Sequence, residues 1–286
     1  MSRALHTQIR GQGDEVVVLL HGLFGSGRNL ASLAHRLADA DPRSRIVLPD
    51  LTGHGASPPL PEQPTLDDLA TDLLVLLDDL ASGAPPAAQD PARSVRVVGH
   101  SLGGRAALAA RRLSPAAVPD LVLLDIAPGR TPPSGAAAGD PRTAAAGSLD
   151  RVRDALLAAP ATSPDREAMA AFLRGRSLAE PLVQWLLLNL ERAPEGGVAW
   201  RIDRPRLADL QQASGRDDLW PVIETLPGRT RAIRGARSDF VSDADVARFA
   251  RAGVPVDTLP DAGHFVHVDA LDELVDLLLP HARDLG

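Results

Sequence analysis

The segment that most constrains this chain is residues 95–104, V-R-V-V-G-H-S-L-G-G, which runs on into an alanine-rich stretch. An apolar β-branched run, then Gly-x-Ser-x-Gly, then good helix formers reads as a strand that turns sharply into a helix, with Ser101 at the corner. The glycines follow from that geometry. The corner residue is strained, and side chains at 99 and 103 would strike the neighbouring helix and strand. The turn also aims a helix N-terminus at whatever faces the serine, and the dipole there favours negative charge. One segment thus predicts a nucleophile, half of an oxyanion hole and an α/β architecture.

Bulk properties narrow the field. With 286 residues, 44% hydrophobic and 23% charged, the chain is long enough for one large α/β domain with an insertion. A formal net charge of -7 argues against nucleic acid or an anionic membrane as partner. No cysteine is present, so disulfides, thiolate nucleophiles and cysteine zinc sites are excluded. Every strong base is arginine, which removes lysine as a Schiff-base or general-base candidate. Heavy Ala, Asp and Pro usage beside those arginines points to a GC-rich bacterial genome. The first residues lack an apolar stretch of signal-peptide length, and no run approaches a membrane span. The expectation is a soluble cytoplasmic protein acting on a small molecule, without metal or organic cofactor.

Strands are expected at 15–20, 45–48, 94–98, 121–124, 229–234 and 254–259, and helices at 29–40, 65–80, 243–251 and 270–279. Alternating apolar strands and helices predict a mostly parallel sheet covered on both faces. The rhythm breaks after Pro128. Residues 129–147 read as a Gly/Pro/Ala-rich loop, and 149–219 as purely helical, with a helix at 180–190. The expected organisation is a core of 1–128 and 221–286 interrupted by a helical cap at 129–220.

A serine nucleophile needs a general base, and histidine titrates in the right range. His264 lies in P-D-A-G-H-F-V-H, directly after the last expected strand, and Gly263 lets that loop approach the elbow. His267 reads as its structural neighbour, His100 as packed beside the elbow, and His21 and His54 as ligands of loop backbone. The third member of a triad holds the imidazole in its working tautomer. Asp125, at the end of the strand after the elbow strand, is favoured. Asp239, after the following strand, is the alternative, and both keep the order Ser…Asp…His. Ser238 would assist the acid. The oxyanion donors would be the backbone N–H groups of Leu102 and of Leu23, the latter in H-G-L-F-G. Phe24, Trp185 and Leu102 are expected to line an aliphatic pocket. Arg174 and Arg176 read as a solvated helix face, or as contacts to an anionic substrate.

Together H-G-L-F-G-S (21–26), D-L-T-G-H-G-A-S (50–57), G-H-S-L-G-G (99–104), D-I-A-P (125–128), R-G-A-R-S-D (234–239) and A-G-H-F-V-H (262–267) resemble the α/β-hydrolase superfamily. The likeness is to its small bacterial carboxylesterases and acyl-CoA esterases, and to their mitochondrial relatives. The resemblance implies an α/β-hydrolase fold and a catalytic acid at the D-I-A-P position, with a serine close by after the next strand. Segments 187–190 and 200–203 also look familial. The expected activity is hydrolysis of carboxylic esters, or thioesters, through an acyl-enzyme. The alternatives are C–C bond hydrolysis or another non-ester reaction on the same triad, and a non-catalytic ligand-binding protein.

Overall fold

The computed structural model describes residues 3–82, 95–132, 141–226 and 228–279. Residues 82–93, whose Ala/Pro-rich composition predicts a surface loop, lie almost wholly outside them. In chain order the elements are β1 (Thr7–Arg10), β2 (Glu15–Leu20), α1 (Ala31–Ala40), β3 (Ser44–Pro49), α2 (Leu66–Ser82), β4 (Arg96–His100), α3 (Leu102–Leu113) and β5 (Asp120–Leu124). Next come α4 (Pro141–Ala158), β6 (Thr162–Ser163), α5 (Arg166–Arg174), α6 (Glu180–Leu187), β7 (Leu190–Arg192), β8 (Val198–Trp200), α7 (Arg204–Arg216) and α8 (Trp220–Thr225). The chain closes with β9 (Arg229–Gly235), α9 (Asp243–Arg251), β10 (Val256–Leu259), α10 (Val266–Asp269) and α11 (Leu271–Leu278).

Seven strands form the central sheet in the order β1-β3-β2-β4-β5-β9-β10. Only β1 is antiparallel, pairing with β3. The strand period of two divides the core into two layers. Val18, Leu20, Val97, Leu121 and Leu123 point to the side covered by α2 and α3. Leu19, Val98, Val122, Leu124 and Ile233 point to the side covered by α1 and α11. Strand β5 is buried along its whole length, as a central parallel strand must be. Parallel order puts the C-terminal ends of β2, β4, β5 and β10 at one edge, where the loops carrying His21, Ser101, Asp125 and His264 emerge.

Three expectations are corrected. The stretch from β5 to β9 is not purely helical, since β6, β8 and β7 make a small antiparallel sheet. Its hairpin turns on Gly196 and Gly197, both at positive φ (97° and 76°), with Ala193 N–H bonded to Gly197 O. A Gly-Gly pair between short strands is a hairpin signal that the helical reading passed over. The loop expected through Gly147 ends earlier, because α4 begins at Pro141 and the alanines at 144–146 favour helix. Strand β1 was not foreseen: its one apolar residue is half exposed, and backbone pairing with β3 rather than a buried face defines it.

Candidate active site

The strand-to-helix corner is as tight as the sequence implies. Ser101 sits at φ 52°, ψ -117°, between the end of β4 and the first turn of α3. A Cβ on Gly99 would lie 2.5 Å from Gly104 Cα, and one on Gly103 would lie 2.6 Å from Leu20 O. Both would strike backbone, which cannot swing aside. Gly99→Ala is therefore expected to destabilise the protein by about 3 kcal/mol, measured by denaturant unfolding. Phe24 (φ 58°) and Asp125 (φ 49°) share the positive-φ conformation of Ser101, so three of the four such non-glycine residues among those described cluster here. Strain concentrated in one place is characteristic of functional sites.

Asp125 is fully buried and every polar edge of its carboxylate is used. Oδ1 accepts the Gly235 N–H at 3.0 Å. Oδ2 accepts the Ser238 hydroxyl at 2.5 Å and His264 Nδ1–H at 2.7 Å. Ser238 Oγ in turn accepts the Phe240 N–H at 3.2 Å. Asp239 is exposed and bonds to none of these groups. Losing one of three donors to a buried carboxylate weakens its grip on the imidazole. Ser238→Ala is therefore expected to lower kcat/KM about tenfold, measured with a chromogenic ester.

His264 is held from three directions. Asp125 fixes its Nδ1, its backbone O accepts His100 Nε2–H at 2.9 Å, and Phe240 stacks on the ring at 3.7 Å and 17°. Its Nε2 makes no hydrogen bond among the described residues. Phe240 was not foreseen, and no local pattern distinguishes it from an ordinary loop aromatic.

His21 and His54 bond to loop backbone, as expected. His21 Nε2 accepts the Leu51 N–H at 2.9 Å while Nδ1–H donates to Gly22 O at 2.8 Å. His54 Nε2 accepts the Phe24 N–H at 3.3 Å while Nδ1–H donates to Thr52 O at 3.1 Å. These roles require neutral rings. Burial holds His21 below the usual imidazole range, and burial, reinforced by His21, pushes His54 down to about 3. Burial, with the neighbouring His264 and His267, holds His100 well below that range. His267 is pushed down to about 3 by burial and by His264.

The loop after β2 closes over the serine. A Cβ on Gly22 would lie 3.0 Å from His100 Nδ1 and 3.3 Å from Ser101 Cβ, so a side chain here would crowd the elbow. Leu23 and Leu102 both border a cavity of about 630 Å³ that reaches Ser101. The Leu102 N–H is the first of the orphan donors at the start of α3. Asn189, in a segment flagged from the sequence, is buried and donates to Phe24 O at 2.6 Å, tying the region after α6 to this loop.

Phe24 and Trp185 do not line the cavity. Phe24 is 3% exposed and packed in the core. Trp185 packs on Phe265 at 4.8 Å and covers Gly25, whose added Cβ would meet its ring at 2.8 Å. The expected aromatic walls are thus inner packing, and Leu102, Ile126, Ala127 and Leu149 form the apolar walls instead. Arg174 and Arg176 also lie elsewhere. Arg174 bridges Glu167 and Glu180 at 2.6 and 2.8 Å, and Arg176 covers the Phe172 ring.

A serine at a strand-to-helix corner, with an acid and a histidine gathered at the same sheet edge, is the arrangement of an α/β hydrolase. The chain belongs to the alpha/beta hydrolase family, whose model matches residues 17–277. It is 33% identical over 269 residues to lipase LipV of Mycobacterium tuberculosis, covering 92% of this chain and 91% of the relative. It is 29% identical over 264 residues to the sn-1-specific diacylglycerol lipase ABHD11 of Danio rerio, covering 91% and 76%. Esterase YbfF of Escherichia coli is 28% identical over 283 residues, covering 94% and 93%. Among solved structures, a marine microorganism esterase superposes with a TM-score of 0.76 over 96% of this chain and 98% of its own, at 23% identity, a likeness of fold. No helix among the described residues is long and apolar enough to cross a membrane.

Proposed function

We propose that this protein hydrolyses carboxylic esters through an acyl-enzyme on Ser101, with His264 as general base and acid and Asp125 as the triad acid. The observation that carries this reading is the buried Asp125 carboxylate bonded to His264 Nδ1–H at 2.7 Å at the same sheet edge as Ser101. His264 Nε2 takes the Ser101 proton as the hydroxyl attacks the carbonyl. In this reading the N–H groups of Leu23 and Leu102, both of which border the cavity, serve as donors to the oxygen that becomes negative, where fixed dipoles are worth most. His264 then protonates the leaving alcohol, and in the second half-reaction takes a proton from water. A thioester would pass through the same steps with a thiol as leaving group. Ser238 and the Gly235 N–H keep Asp125 oriented. Among the described residues, 129–132 and 141–220 act as a cap that frames the cavity, anchored by Asn189 and Arg105.

The lipase and esterase names of the relatives support ester hydrolysis over other chemistry on this fold. The reading is tested by hydrolysis of p-nitrophenyl acetate and butyrate. Wild type is expected to turn over both, and Ser101→Ala and His264→Ala to lose at least about 10⁴-fold in kcat. Folded wild-type protein with no turnover of either ester contradicts it.

A further inference from the structure

The mouth of the cavity presents two arginines on a built frame. The Thr131 N–H donates to Gly215 O at 2.9 Å, pairing the segment after β5 with the end of α7. Arg130 precedes the donor residue and Arg216 follows the acceptor residue, so they flank this bond. Arg105 fixes the frame from below, donating to Gly129 O at 2.9 Å, Ser214 O at 2.6 Å and Asp217 O at 2.7 Å. Arg105 is itself 5% exposed. Arg130 and Arg216 both border the cavity that holds Ser101, and both are exposed. Neither makes a hydrogen bond or ion pair with a described residue. The third arginine at the mouth, Arg153, is already neutralised by Asp150 and Asp154, at 2.5 and 2.9 Å. Asp217, next to Arg216, is turned towards Arg112 at 3.6 Å.

Two guanidinium groups unpaired among the described residues and bordering the cavity are a local feature, because the whole chain carries a net charge of -7. Guanidinium is a planar fork of donors matched to carboxylate and phosphate. Deeper in the cavity Leu102, Ile126 and Ala127 are apolar and buried. The cavity is thus walled by buried apolar groups and bordered by two exposed arginines.

We propose that Arg130 and Arg216 form an anion subsite, and that the natural substrate is an ester bearing a carboxylate or phosphate at the end remote from the scissile carbonyl. The substrate assignment rests on the ester-hydrolase reading, whereas the anion site itself does not. The covalent steps are unchanged: the ester and one water give an acid and an alcohol.

Binding is measured first, by calorimetry on Ser101→Ala with monomethyl adipate, monobutyl phosphate and the neutral dimethyl adipate. The monoanions are expected to bind about tenfold more tightly than the diester, with the advantage shrinking in high salt. Adding Arg130→Gln and Arg216→Gln should bring the three together, and the better of the two anions identifies the group. Turnover then locates the anion within the ester. p-Nitrophenyl hydrogen adipate against p-nitrophenyl hexanoate probes the acyl side. The butyrate ester of 4-hydroxybenzoate against that of its methyl ester probes the alcohol side. One of these pairs is expected to favour the anionic member about tenfold in kcat/KM, and the ratio should collapse in the arginine double variant. Equal binding of anionic and neutral ligands, or an anion preference that survives loss of both arginines, overturns the subsite. Turnover of neutral esters without any preference overturns the substrate assignment while leaving the hydrolase. Anion binding without turnover of any ester overturns the hydrolase and the ester assignment, but keeps the anion site.

Discussion

Asp125→Asn is expected to lower kcat for a p-nitrophenyl ester by about 10⁴-fold, while Asp239→Asn stays within about twofold of wild type. The asymmetry follows from what each side chain touches. Asp125 is fully buried and accepts the His264 Nδ1–H, whereas Asp239 is solvated and makes none of these contacts. An amide at 125 can turn its NH₂ towards the imidazole. The ring then takes the opposite tautomer, with the proton on Nε2, and can no longer accept one from Ser101. The fold should survive, since Asn fits the same space and its oxygen can still accept the Gly235 N–H. A large loss in Asp239→Asn with Asp125→Asn active would contradict the assignment of the acid.

Stability is expected to fall steeply below neutral pH, by about 10 °C in Tm between pH 7.5 and 5.5. Four buried histidines cause it. His54 and His267 are held at about 3, and His21 and His100 are also lowered, all chiefly by burial. Each is neutral when folded but takes a proton when unfolded once the pH drops below about 6.5. Between the lowered and the ordinary value the unfolded state binds more protons, so stability falls as pH falls. Each histidine contributes about 1.4 kcal/mol per pH unit in that window, and four together are large against a typical total of 5–15 kcal/mol. Thermal melts across the range check this, and a flat Tm would contradict it. His267 offers a finer test, since neither ring nitrogen has a hydrogen-bond partner among the described residues. His267→Leu should reduce the acid dependence by one proton without leaving a polar group unpaired.

The core was legible where buried strands and glycine punctuation write themselves plainly. Strands β2, β3 and β5 match within a residue or so, because largely buried strands read as apolar runs, and β9 matches as closely although Arg229, Arg231 and Arg234 interrupt it. The elbow was legible because Gly99 and Gly103 each answer a backbone clash that any side chain would create. The preference for Asp125 over Asp239 came from position in a familiar arrangement, since nothing in the local sequence says which carboxylate is buried. What was missed was set by tertiary contact. Phe24 and Trp185 are large and apolar, and the sequence does not say whether such a residue faces a cavity or packs beneath it. Here the aromatic cluster around His267 and Phe265 claims Trp185. Arg130 and Arg216 were invisible as a pair because they are distant in sequence and meet only through the Thr131–Gly215 hydrogen bond.

The most direct test of the account is rapid mixing of the protein with p-nitrophenyl butyrate, followed by acid quench and peptide mass mapping. The account predicts a burst of one p-nitrophenol per chain and a butyryl group on the peptide carrying Ser101, with both absent in Ser101→Ala. Turnover with the acyl group on another residue, or turnover that persists in Ser101→Ala, would contradict it.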